Sequence, residues 1–114
     1  MHFSTLAMMV MLSTRGTALV VEKAKLYSED ACGGRAYTVN PDDTCTLLPR
    51  NLQKKVNGAK VPEGVVCDFY TDEKCKEPLW IGMEDPGTCG FSELEIENKA
   101  VSVHCYDDTE REEI

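Results

Sequence analysis

The sequence predicts an all-β domain made of two like halves and pinned by three disulfides. An internal repeat, a succession of short strand-like segments separated by turn clusters, and six cysteines in a short chain predict it. The repeat is the most informative. Leu26-Tyr27-Ser28-Glu29-Asp30-Ala31-Cys32 returns as Phe69-Tyr70-Thr71-Asp72-Glu73-Lys74-Cys75, 43 residues later. At the same offset Tyr37 aligns with Trp80 and Val39 with Gly82, and Cys45 meets Cys89 after one inserted residue. A unit of about 40 residues is a supersecondary element that buries its apolar face against a sister copy.

Each half reads as β. Ala24 and Leu26 alternate with Lys23, Lys25 and Tyr27, and Cys67 and Phe69 alternate with Val66, Asp68 and Tyr70. Ala36 to Val39 and Leu79 to Ile81 are rich in strand formers. Leu94 to Glu97 and Val101 to Cys105 alternate as well. Between them lie the turn clusters Gly33-Gly34, Asn40 to Asp43, Asn57-Gly58, Pro62 to Gly64 and Asp85 to Gly87. Asn51 to Val56 is the one stretch expected to form a short helix. Many short strands with regular turns indicate a sandwich or barrel.

An apolar run, Leu6 to Leu12, is followed by small and polar residues. It reads as a signal peptide at 1–18, cut after Ala18, because a membrane span needs about 20 apolar residues. The domain is then expected at 19–106, with copy one over 19–62 and copy two over 63–106, and an acidic tail at 107–114. All six cysteines follow the cut, and an even number behind a leader reads as a disulfide framework. Six cysteines allow 15 pairings. If equivalent positions make equivalent bonds, Cys32 joins Cys45 and Cys75 joins Cys89. Cys67 and Cys105 remain, and strand parity turns both into the core beside Phe69 and Val103.

The chain carries 12 basic and 20 acidic residues, a net charge of −8, or −9 once Arg15 leaves with the leader. Such a surface disfavours nucleic acid and anionic membrane as partners. It has no Asn-x-Ser/Thr acceptor.

Lys25 to Val39 resembles the opening hairpin of a βγ-crystallin Greek key, whose pattern is an aromatic, a second aromatic five places on, then a glycine two further. Tyr27 and Gly34 fit that pattern, and Cys32 stands in the second aromatic place. Copy two keeps Tyr70 and Cys75 but has Glu77 in the glycine place. "AKVPEGVVCDFY" looks like the junction between two such motifs. The resemblance implies two Greek-key motifs packed as a βγ-crystallin-like sandwich. The superfamily it points to includes lens proteins, calcium-binding domains, killer toxins, antimicrobial peptides and a metalloprotease inhibitor, and cysteine-rich secreted versions resemble small fungal proteins.

Calcium-binding members of that family carry two acidic or amide residues, two variable ones, then Ser/Thr and Ser, which supply oxygen ligands. The matching stretch in copy two gives Glu97, Asn98 and Ser102 as calcium candidates, with Val101 replacing a ligand hydroxyl. Copy one has Gln53 to Gly58, basic and without either hydroxyl. No cofactor is expected.

Catalysis is not expected either. His104 is the one histidine after the leader, every cysteine is paired, and a hydrolase needs nucleophile, base and orienting group together. The paired acids Glu29-Asp30 and Asp72-Glu73 fall on hairpins and read as structural turns. A non-enzymatic, secreted, extracellular interaction protein of the fungal effector kind is the expected function, monomeric and directed at an extracellular or host protein. A killer-toxin-like antimicrobial protein and a secreted protease inhibitor are the alternatives. Candidate binding residues are Asp42, Asp43, Trp80, Met83, Glu84 and Asp85, which flank Cys45 and Cys89 or carry the single tryptophan.

Overall fold

The computed structural model describes residues 22–109. The expected leader and the end of the acidic tail therefore lie outside the described residues. Eight strands form: β1 (Ala24–Tyr27), β2 (Tyr37–Val39), β3 (Asp42–Leu47), β4 (Gly58–Lys60), β5 (Val65–Tyr70), β6 (Pro78–Met83), β7 (Gly87–Thr88) and β8 (Ser102–Asp107). They make two four-stranded sheets in the orders β2-β1-β4-β7 and β3-β8-β5-β6, and all neighbours are antiparallel. This is the predicted all-β sandwich.

The third strand of each half crosses over. β3 belongs to the first half in sequence but pairs with β8 of the second, and β7 belongs to the second half but pairs with β4 of the first. Between the sheets lies the core, with Leu26, Leu48, Val56, Val61, Phe69, Phe91 and Val103 fully or almost fully buried. Phe69 and Phe91 meet edge to face at 5.4 Å between ring centroids, the arrangement favoured by the ring quadrupoles.

The exchange corrects two expected disulfides. Cys32 is bonded to Cys89, not to Cys45, and Cys75 is bonded to Cys45, not to Cys89. β3 carries Cys45 into the second sheet, opposite His104, and β7 leads Cys89 to the first hairpin, where Ala31 N–H donates to Cys89 O at 3.1 Å. Equivalent positions do make equivalent bonds, but between the halves. Cys67 and Cys105 face each other directly across β5 and β8, fully buried, and form the third bond.

Local structure departs from the sequence pattern in five places. Leu94 to Glu97 is not a strand: Phe91–Leu94 forms a 3-10 turn that ends at left-handed Glu95, burying Phe91 and Ile96 together. The alternation there reports a compact turn. Asn51 to Val56 forms turns and no helix, because Lys54 adopts φ 60° and sends its N–H across to Ala100 O in the other half. Asp42 and Asp43 begin β3 instead of completing a turn. Gly58 likewise lies inside β4. At the other end, Asp107 pairs with Val65 and Asp108 N–H donates to Gly64 O, so the acidic tail begins as part of the sheet.

Each β-hairpin folds back over the outer face of its sheet. A small residue lies beneath each: Gly58 under Cys32, and Ser102 under Cys75. A Cβ added at Gly58 would lie 3.1 Å from both Cys32 Sγ and the Cys89 backbone. The backbone cannot yield there because the disulfide fixes it. We expect Gly58→Val to cost about 2 kcal/mol through overpacking, read as a lower urea midpoint at unchanged slope; an unaltered midpoint would show that the hairpin does not press on β4.

Candidate functional site

The second sheet positions the polar and exposed groups of most interest. Asp68 interrupts the buried run Val65 to Phe69 with a carboxylate that is almost inaccessible. It needs partners there, and it has them. Its Oδ1 accepts the Gly82 N–H at 2.7 Å, and its Oδ2 lies 3.6 Å from His104 Nδ1. The other ring nitrogen, Nε2, is 2.7 Å from Asp43 Oδ1. His104 is thus strung between two carboxylates on neighbouring strands, with the Tyr106 ring 5.4 Å away.

That arrangement holds no nucleophile. The hydroxyl of Ser102, two residues along the same face, is buried under the second hairpin, where it donates to Asp72 O at 2.7 Å and sits 3.3 Å from Cys75 Sγ. Of the hairpin acids, Asp72 is likewise engaged. The Asp72 carboxylate accepts the N–H groups of Glu77, Lys76 and Lys74 at 2.8, 2.9 and 3.0 Å. These bonds, led by that from Glu77, hold its carboxyl below the usual carboxylate range. This cage does the work of the glycine missing at Glu77. In copy one Gly34 takes φ 84°, as its motif requires.

β6 is an edge strand, hydrogen-bonded on one side to β5. Its ladder slips between the pairs Cys67–Met83 and Phe69–Trp80, where one residue of β5, Asp68, opposes two of β6, Ile81 and Gly82. Asp68 fixes the slip through Gly82. A bulge of this kind re-aims side chains. Met83 is drawn into the core, while Trp80 is left 36 % and Ile81 55 % exposed. Beyond Met83 the turn through Glu84 and Asp85 is exposed, closed by Gly87 N–H to Glu84 O at 2.7 Å.

The six candidate binding residues therefore do not converge. Trp80, Glu84 and Asp85 lie along and beyond β6. Asp42 and Asp43 lie on β3, the opposite edge of the same sheet, with β8 and β5 between. Asp42 is turned back on Thr44, accepting its N–H and hydroxyl. Met83 is buried and presents nothing to a partner. Sequence reasoning passed over Ile81 and Asp68. The second had a signal, a lone acid inside Val-Val-Cys-Asp-Phe-Tyr.

The calcium candidates do not fit an ion. Ser102 is buried and its hydroxyl is spent on the hairpin. Asn98 Oδ1 receives the Asn57 side-chain amide at 3.3 Å, and the same amide donates to Ser28 O at 2.8 Å. An N–H donor from Asn57 thus bridges oxygens of two loops. In the other half Lys54 stands at the position of Asn98 and Val101 at that of Asn57. Among the described residues no group of three or more His, Cys, Asp or Glu is placed to hold a metal.

The direction of the Asp72 shift gives a pH prediction. A carboxylate held below its unfolded value adds stability above that value, and the gain is lost as pH falls through the lower, folded value. Wild type should therefore be more stable than Asp72→Asn at neutral pH, with the difference vanishing at strongly acidic pH. Urea midpoints across that range check it; a difference independent of pH would assign the effect to shape and not to charge.

Compared with family models and with curated proteins, the sequence gives no match. Solved structures do match. A βγ-crystallin domain from Clostridium beijerinckii superposes with a TM-score of 0.61 at 20 % identity, covering 75 % of this chain and 98 % of that one. A βγ-crystallin from an archaeon gives 0.62 at 19 % identity, over 75 % and 98 %. The N-terminal domain of Protein S gives 0.61 at 13 %, over 75 % and 96 %. At such identities the likeness concerns architecture alone, and the architecture of this chain is the βγ-crystallin fold.

Proposed function

We propose that this chain is a small secreted interaction protein without catalytic activity, effector-like, that acts on an extracellular or host protein. The observation that carries the reading is the exposed Trp80-Ile81 pair on the open edge of β6. A tryptophan held on a rigid strand is a common hot-spot anchor. An edge strand offers unpaired backbone groups to an incoming segment. The acidic turn through Glu84 and Asp85 supplies a polar rim to the same face.

Two further features support it. Three disulfides in a small domain suit an oxidising compartment outside the cell. His104 is the one histidine among the described residues, and it is tethered by Asp43 and Asp68 with no activated hydroxyl or thiol beside it. The protease-inhibitor alternative loses an argument. An inhibitor needs a rigid exposed loop; of the two segments before Cys45 and Cys89 that could supply one, Asn40 to Thr44 is largely strand and Met83 to Thr88 starts from a buried side chain.

The test is partner capture from host extracellular fluid with the oxidised chain, a reduced and alkylated control, and Trp80→Ala. One saturable protein partner is expected, lost on reduction and bound at least about tenfold more weakly by Trp80→Ala. Equal binding by Trp80→Ala would place the partner on another face. A protease as partner would favour inhibition, and growth inhibition of yeasts or bacteria without any partner would replace this reading with a toxin.

A further inference from the structure

The first sheet bears a groove of its own, which meets the β6 face at Asp85. It opens between β1, β4 and the turn that leads into β7, with a volume of about 490 Å³. Its cationic side is formed by Lys23, Lys25 and Lys60, and its apolar side by Pro62 and Pro86, with Val61 buried behind them. This size lies within the ordinary range of small-molecule sites.

The charge pattern is unusual for its position. Lys25 and Lys60 are directly opposite in the β1–β4 register, both on the outer face. Like charges facing each other across an antiparallel pair cost stability. Among the described residues neither lysine is in an ion pair. The repeat supplies an internal control. The equivalent positions in the second sheet are Asp68 and His104, again directly opposite, and there the two groups face each other as acid and base. The same scaffold position pairs a carboxylate with an imidazole on one sheet and two ammonium groups on the other. This occurs in a chain with a net charge of −8, where chance favours acids. Lys60 is also held in place, its ammonium 5.5 Å from the centre of the Tyr27 ring, a contact that orients the charge.

We propose that this groove binds a small organic acid, its carboxylate held between the Lys25 and Lys60 ammonium groups and its apolar body lying on Pro62 and Pro86. Glu22 and Asp85 stand on the rim. They set the selectivity, because a ligand carrying a dense run of negative charge meets them as well as the lysines. A single carboxylate on an apolar frame avoids them. The Lys25–Lys60 pair lies on the other sheet from Trp80 and Ile81, and although Asp85 borders both faces, neither lysine takes part in the contact proposed there, so the site stands or falls independently of that partner.

Amide chemical-shift titration of the oxidised chain tests it. The probes are octanoate, phenylpropionate and indoleacetate, each beside its neutral alcohol, with inorganic phosphate as the bare anion. At least one acid should give saturable shifts centred on Lys25, Lys60, Val61 and Thr88. Its affinity should fall about tenfold or more in the double variant Lys25→Gln, Lys60→Gln, and stay unchanged in Lys74→Gln. Both lysines are exposed, so the double variant keeps its fold, checked by its unperturbed spectrum elsewhere. Three results would overturn the proposal: no saturable shift with any of the acids, equal binding of an acid and its alcohol, or equal binding of phosphate. Binding indifferent to the double substitution would overturn it too.

Discussion

The structure depends on the exchange of one strand between its halves. β3 and β7 each leave their own half and complete the sheet of the other. Neither half then possesses a finished sheet, so neither folds without its sister. Disulfides fasten the exchange: Cys45 on β3 is bonded to the second hairpin, and Cys89 just past β7 to the first. The sequence separations are 57 and 30 residues, loops long enough for each bridge to contribute about 4 kcal/mol by restricting the unfolded chain. In a domain this small the apolar core alone leaves little margin, and two bonds between halves act where separation would begin.

Many local features follow from this constraint and obey the same pseudo-symmetry. Cys32 and Cys75 take φ 57° and 56°, Asp43 and Gly87 take 65° and 82°, and Lys54 and Asn98 both take 60°. Most of these residues carry a Cβ, and each pays for a left-handed backbone that the tertiary frame dictates. The loops also exchange hydrogen bonds reciprocally, Lys54 N–H to Ala100 O and Asn98 N–H to Val56 O. Against so regular a frame, the departures stand out. Asp68 and His104 on one sheet answer Lys25 and Lys60 on the other. A bulge at Asp68 leaves Trp80 and Ile81 outside. The backbone is repeated while the surface is not, and recognition belongs to the surface.

The architecture was legible because the repeat and the strand alternation both survive in the side chains. Tyr27 and Tyr70, Cys32 and Cys75, and Gly34 carried the motif, and the parity of Cys67 and Cys105 carried their bond. The other two bonds were not legible. A repeat states which positions are equivalent, but not which sheet a strand joins, and the crossing of β3 and β7 is a tertiary event. Trp80 was ambiguous for a related reason. Leu-Trp-Ile has no polar residue to mark its outer face, and the bulge that decides it is fixed by Asp68, a residue of another strand. The groove at Lys25 and Lys60 escaped notice because the two lysines lie 35 positions apart and become neighbours only through the β1–β4 pairing.

The most direct test of the exchanged-strand account is a disulfide map. Peptic digestion of the unreduced protein at acidic pH, where thiol exchange is quenched, followed by mass spectrometry of the linked peptides, reads all three bonds at once. The account predicts Cys32–Cys89, Cys45–Cys75 and Cys67–Cys105. Recovery of Cys32 linked to Cys45 and Cys75 linked to Cys89 would mean that each half closes on itself, and would contradict the exchange on which the rest depends.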